Sequence, residues 1–523
     1  MQDTLDTLLQ RHCEKYADRV AVQYQGDVLS YGDLGRQANR LAAGLRDIGV
    51  TSDDRVALMQ SNRLEYVVSN LAVPKAGGIW VPLNDMLSVE DVQYILSDSD
   101  AQYAIVGPSF IPYLEDIAIG ETALEQIITV GQRWSHDAVD TTSFAEILEQ
   151  NNSTPPAIDN DPDDVAAQYY TGGTTGKPKG VLHTHENFVL DLYSHIIELD
   201  IQSEQMLLMT PLPHSAGLFL LSGLLRGGTH IITQGFEPQT ALELIESNNI
   251  TWTFMVPTMI YRLLDDEKRG EFDTSSLETL TYGAAPMTPE RIREGIDAFG
   301  PIFQQFYGQT EVPNLITTLS KSAHTSAIEA GNEELLSSAG LPTTMADVMI
   351  GDPDTAQPVD DGDIGMIYAS APYAMKGYYE RPEKNEEVFV DRWVKTGDIG
   401  RKGEQGYIYL LDRDSDMIIS GGMNVYSTKV EEVIEQHDQV AQCAVIGIPD
   451  DEWGEAVHAI IIPYDDEKID QTEIVTQSRS DLADYEVPKS LEVREFLPET
   501  PYGKIDKQAL REEYWEDEDR KVN

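Results

Sequence analysis

The chain has 523 residues, enough for more than one hydrophobic core, and its 41% hydrophobic content with 39 glycines and 26 prolines is that of a globular protein. Against 37 Lys and Arg stand 90 Asp and Glu, a net charge of −53 at pH 7, so no basic surface exists to release counterions from nucleic acid, and such a partner is not expected. The two cysteines, Cys13 and Cys443, lie far apart and outside any Cys/His cluster, which argues against a disulfide framework or a zinc site.

The acids are interspersed among apolar periodic segments, so they belong to the surface of the whole fold. Their mutual repulsion is screened only when the Debye length falls to about 3 Å, in molar salt, and the composition predicts a halophilic host. The N-terminus MQDTLDTLLQRHCEKYADR has no apolar signal region, and the longest apolar run, 218–225, is too short to cross a bilayer. The expectation is a cytoplasmic enzyme with no integral membrane segment.

In chain order, YGDLGRQANRLAAGLRDIG (31–49) has helical periodicity and RVALM (55–59) is strand-like, the beginning of a layered α/β pattern. AAQYYT (166–171), THIIT (229–233), TWTFMV (251–256), ETLTYG (278–283), GMIYA (365–369) and YIYLLD (407–412) read as buried strands, each followed by a turn or a helical pattern. Near residue 412 the texture changes to a charged turn, DRDSD, and a glycine loop, SGGMN. Beyond it come a helix over 429–437, strands CAVIGI (443–448) and AVHAIIIP (456–463), and a helix ending near Tyr485, a small α+β unit.

The segment YYTGGTTGKPKGVLHTH (169–185) packs four glycines, three threonines and two lysines into the ten positions 171–180. Glycines let the backbone approach an anion, amides and hydroxyls donate to it, and lysine supplies charge, so the composition suits a phosphate cradle. It is not a Walker A loop, because Pro178 follows Gly176-Lys177 where Ser or Thr is required.

With this loop come PLPHSAG (211–217), YGAAPM (282–287), YGQTE (307–311), GYYERPEKNEEVF (377–389), KTGD (395–398), DRDSDMIISGG (412–422) and PYGKIDK (501–507). Taken in this order, the motifs resemble the class I adenylate-forming superfamily of acyl- and aryl-CoA synthetases, adenylation domains and luciferases. The resemblance implies a large N-terminal α/β domain of stacked sheets (1–412), a hinge (413–415) and a mobile C-terminal α+β domain (416–523).

It also implies roles. Thr171, Gly172, Gly173, Thr174, Thr175, Gly176 and Lys177 would hold the phosphates of ATP, and Gly283, Ala284 and Ala285 would form a slot for adenine. Tyr307, Gly308 and Thr310 would complete that region. Glu311, with Thr171, would associate with Mg2+, a hard ion that takes oxygen ligands. Asp398 would accept from the ribose hydroxyls, and Arg413 would contact ribose or phosphate. Lys504 would steady the charge that builds up as a carboxylate attacks the α-phosphate.

His214 would sit beside the incoming acid, and Ser420, Gly421 and Gly422 would line the path of the coenzyme A thiol arm. Ser415 stands where the family usually has an Asp or Lys pivot, and Ser427 and Lys429 replace the more usual Pro and Glu. No function is assigned to these last two positions. The implied activity is ATP-dependent ligation of a small carboxylic acid to coenzyme A through an acyl-adenylate, with medium- or long-chain fatty acids as substrates and fatty acid metabolism as the setting; a homodimer is allowed. Aryl acids of the benzoate type stand nearly level, and a non-catalytic nucleotide-binding scaffold is the rival from another class.

Overall fold

The computed structural model describes residues 3–171, 177–450, 452–464, 470–498 and 505–515. They fall into two compact units. Of these, the first holds 3–171, 178–348 and 369–394, and the second holds 177, 349–368 and the described residues from 395 onward.

The first unit is built on two large sheets. In the nine-stranded sheet, Gln205–Leu208, Thr229–Ile232, Trp252–Met255, Thr279–Tyr282 and Phe303–Gln309 run parallel, and Val312–Leu319 turns back antiparallel beside the last of them. In the eight-stranded sheet, Arg55–Met59, Ile79–Leu83 and Val165–Thr171 are parallel neighbours, and Lys179–Thr184 folds back on Val165–Thr171. These strands lie under helices on both faces, which is why they read as continuous apolar runs rather than alternating ones. Trp252–Met255 and Thr279–Tyr282 are buried at every position.

The helices are specified locally. Tyr31–Asp47 opens at Ser30, whose hydroxyl accepts from the Asp33 amide at 3.0 Å, and buries Leu34, Ala38, Leu41, Ala42 and Leu45 at three- and four-residue spacing. One core joins these residues to Trp80, Phe188, Trp252 and Phe306.

The second unit has a five-stranded sheet in which Val440–Asp450 and Gly454–Pro463 form a long antiparallel pair and Ser490–Val493 joins the latter in parallel. One face packs Val430, Ile434 and Ile474; the other packs Leu497 and Leu510. The helix expected over 429–437 is present as Ser427–Glu435. The helix expected to end near Tyr485 stops instead at Ser478, in Gln471–Ser478, because the Ser478 and Ser480 hydroxyls donate back to the carbonyls of Val475 and Gln477, the bonding that competes with helix continuation.

Candidate functional site

Parallel strands deliver their following loops to one edge of a sheet, and in open α/β sheets that carboxyl edge is where ligands bind. Here the strand ending at Leu208 is followed by PLPHSAG, the one ending at Tyr282 by Gly283–Ala285, and the one ending at Gln309 by Thr310 and Glu311. Three of the motifs found in the sequence therefore share one edge of the nine-stranded sheet. Thr171 ends its own strand in the other sheet, paired with Lys179.

Close backbone approach explains two of the glycines. A Cβ on Gly283 would lie 2.6 Å from the Phe306 carbonyl oxygen, and one on Gly308 would lie 2.3 Å from the Asn314 carbonyl carbon. Next to Gly283, Ala284 is exposed and adopts φ +70°, a left-handed conformation that costs a non-glycine residue roughly 1–2 kcal/mol.

Thr310 and Glu311 form the two-residue turn between Gln309 and Val312, which pair across it. Three bonds hold this turn. His183 Nε2 donates to the Thr310 carbonyl at 2.8 Å, and burial, which depresses His183 to about 4, keeps the ring neutral. The Met375 amide donates to the Glu311 carbonyl at 2.8 Å. The Tyr378 hydroxyl donates to Glu311 Oε1 at 2.7 Å, and burial together with the Glu311 charge raises the phenol above its ordinary range, so it remains a donor.

His214 is half-buried in a short π-helical turn at a non-helical φ/ψ of −130°/−152°, and its Nε2 lies 3.2 Å from Asn84 Nδ2. Its neighbour Ser215 donates to Asn314 Oδ1 at 2.7 Å; Asn314 Nδ2 in turn lies 2.9 Å from His195 Nε2. Tyr307 is half-buried and Lys177 exposed.

In the second unit Asp398 is 8% exposed and sits across from Arg413 in an antiparallel pair, with Arg413 Nε 3.4 Å from its Oδ1 and its own amide donating to Thr396 at 3.1 Å. Ser415 lies in the turn closed by the Asp416 amide on the Arg413 carbonyl at 2.9 Å. Ser420 is buried, whereas Gly421 and Gly422 are exposed at φ +59° and +79°; a Cβ on Gly421 would lie 2.7 Å from the Trp453 ring. Gly172, Gly173, Thr174, Thr175, Gly176 and Lys504 lie outside the described residues.

A charged cluster that no pattern along the chain announces adjoins the Arg413–Asp416 turn. Lys507 donates to Ser427 Oγ at 2.8 Å and to Glu431 Oε1 at 2.7 Å. Ser427 donates to Asp412 through its amide at 2.5 Å and its hydroxyl at 2.9 Å. Burial pushes Asp412 up to about 6 despite the nearby ammonium; for Lys507, burial is outweighed by Glu431, Asp412 and Asp416, which raise it. Only Ser427's departure from the usual Pro signalled the cluster.

Among the described residues no three His, Cys, Asp or Glu side chains converge as a metal cage. No helix among the described residues is long and apolar enough to cross a membrane.

The chain belongs to the AMP-binding enzyme family: the family model matches residues 9–379, and that of the AMP-binding enzyme C-terminal domain matches 429–504. It is 35% identical to the medium/long-chain-fatty-acid–CoA ligase FadD8 of Mycobacterium tuberculosis, over 98% of this chain and 90% of that one. It is 36% identical to a feruloyl-CoA synthase of an Amycolatopsis species, over 94% and 96% of the two chains. Among solved structures, o-succinylbenzoate CoA synthetase (MenE) from Bacillus subtilis, in complex with the acyl-adenylate intermediate OSB-AMP, matches with a TM-score of 0.84 and 28% identity over 98% of each chain.

Proposed function

We propose that this protein is an AMP-forming carboxylate–CoA ligase. The observation that carries the reading is the shared carboxyl edge, where the loops bearing His214, Gly283–Ala285 and Thr310–Glu311 follow parallel strands of one sheet, in a chain resembling ligases along nearly its whole length.

In the first half-reaction a carboxylate oxygen attacks the α-phosphorus of ATP and pyrophosphate leaves, giving acyl-AMP. Thr171–Lys177 hold the phosphates, Gly283–Ala285 flank adenine with Tyr307, Gly308 and Thr310 beside them, Asp398 takes the ribose hydroxyls, and Arg413 contacts ribose or phosphate. Lys504 places its ammonium against the charge that builds on the attacking and transferred oxygens. Bound Mg2+, held by Glu311 and Thr171, would neutralise charge on the triphosphate. In the second half-reaction the coenzyme A thiol loses its proton to solvent, its sulfur attacks the acyl carbonyl carbon, and AMP leaves. Ser420–Gly422 admit the thiol arm, and a hinge at 413–415, pivoting at Ser415, separates the large domain from the small one.

The substrate reading favours medium- or long-chain fatty acids, reached past His214 and bordered by the apolar helix Gly217–Arg226. The resemblance to a feruloyl-CoA synthase at 36% identity supports aryl acids as a second reading. The enzyme acts in the cytoplasm of a halophile. The test is pyrophosphate release in concentrated salt with fatty acids of graded length and with aryl acids, with and without coenzyme A. Release matched by acyl-CoA is expected; release without a thioester product would redirect the acceptor, and no release with any acid would leave only a nucleotide-binding scaffold.

A further inference from the structure

One motif of the sequence, GYYERPE, has no part in the reading above, yet the structure shows it gripping both faces of one hairpin. The strand Gly377–Tyr378 pairs with Lys179–Thr184 through Tyr378 and Val181, and the flanking amides of Lys376 and Tyr379 donate to the carbonyls of Leu182 and Gly180, each at 2.8 Å. Gly377 takes φ +144°, and Asn385 locks the bend by accepting from the Tyr378 amide at 2.7 Å and donating to its carbonyl at 3.0 Å. From this fixed base two side chains reach in opposite directions.

Tyr378, 6% exposed, donates to Glu311 Oε1, with the Lys179 ammonium 4.6 Å from its ring centroid. Arg381 pairs with Asp98, and Asp98 also accepts from the Tyr170 hydroxyl at 2.9 Å and the Tyr94 hydroxyl at 3.0 Å. Tyr170, 5% exposed, accepts from Gln168, whose Oε1 is held by Arg55 at 3.0 Å. Tyr170 immediately precedes Thr171. The same five-residue segment thus fixes Glu311 on one side and the strand end carrying Thr171 on the other, the two residues read above as the protein's oxygen donors to magnesium and triphosphate.

We infer that Tyr378 and Arg381 are positioning residues for the metal–triphosphate end of ATP: a clamp that sets Glu311 through a direct hydrogen bond and Thr171 through Asp98 and Tyr170. The inference rests on the proposed role of Glu311. A carboxylate that must meet a small octahedral ion loses affinity when its direction is left unset, and the bond that sets it is charge-assisted. Because the clamp acts on Glu311 and on the strand end at Thr171, its effect is expected on nucleotide binding.

The test compares Tyr378→Phe, Arg381→Met, Arg381→Lys and Glu311→Ala by calorimetric binding of ATP in the presence and absence of Mg2+, alongside the two half-reactions assayed separately. Tyr378→Phe and Arg381→Met should each weaken Mg·ATP binding by about tenfold and spare thiolysis of a supplied acyl-adenylate; Tyr378→Phe, which acts on Glu311, should leave ATP binding without Mg2+ almost unchanged. Arg381→Lys should recover part of the loss. Unchanged Mg·ATP affinity in both Tyr378→Phe and Arg381→Met, or an equal fall in both half-reactions, would overturn the clamp. If Glu311→Ala itself leaves Mg·ATP binding intact, it is the assignment of Glu311 that falls. Should Arg381→Met fail to fold, Tyr378→Phe decides alone, since it removes only one hydroxyl.

Discussion

Asp191 stands fully inside the first unit, 1% exposed, and among the described residues neither of its carboxylate oxygens has a hydrogen-bond partner. Burial raises it well above the usual carboxylate range, so the folded protein keeps a proton that the unfolded chain releases. The contribution to stability is complete below the unfolded value of about 4 and is lost as pH rises, at about 1.4 kcal/mol per pH unit until the folded value is reached. Asp191→Asn keeps the shape and removes the proton. Its urea midpoint should exceed that of the parent protein by a margin that grows between about pH 5 and about pH 7; parallel pH curves would show that the Asp191 carboxyl is already ionised. His195, one turn on, donates from Nδ1 to the Asp191 carbonyl at 2.7 Å and stays neutral, since burial lowers it to about 4.

Among elements, the decisive contrast is between the strands and the cluster around Lys507. The strands were legible because burial on both faces writes a continuous apolar run into the sequence, as in TWTFMV and ETLTYG, and the positions of PLPHSAG, YGAAPM and YGQTE behind their strands follow from that. The tie from Tyr378 to Glu311 spans 67 positions and carries no period, so no pattern along the chain announces it. The role of Ser427 is silent in the sequence for the same reason: its value comes from Asp412 and Lys507, brought to it by tertiary folding.

That cluster makes a stability prediction. Lys507 and Glu431 have side chains 12% and 14% exposed, and removing the ammonium leaves the half-buried Glu431 and the buried Asp412 without their counter-charge. Lys507→Met should destabilise the second unit by about 3–5 kcal/mol, and Ser427→Ala, which removes only the bridging hydroxyl, by about 1–2 kcal/mol. Hydrogen exchange in Ser427–Glu435 and Lys507–Trp515 reads this directly; equal protection in parent and variants would mean the cluster contributes nothing.

For the molecule as a whole, charge is the dominant fact. With 37 basic residues against 90 acidic ones, full pairing would still leave 90 − 37 = 53 carboxylates without a cation. Repulsion among them weakens as salt shortens the Debye length from about 10 Å at 0.1 M to about 3 Å at 1 M. The urea midpoint should therefore rise steeply with KCl, and a midpoint independent of salt would remove the halophilic reading.

The central claim is that this chain joins an acid to AMP before passing it to coenzyme A. It is tested most directly with a carboxylic acid labelled in both oxygens with 18O, turned over with ATP, Mg2+ and coenzyme A. Attack of the carboxylate on the α-phosphorus predicts AMP carrying one 18O and acyl-CoA retaining the other. Unlabelled AMP, or label appearing in phosphate beside ADP, would contradict it.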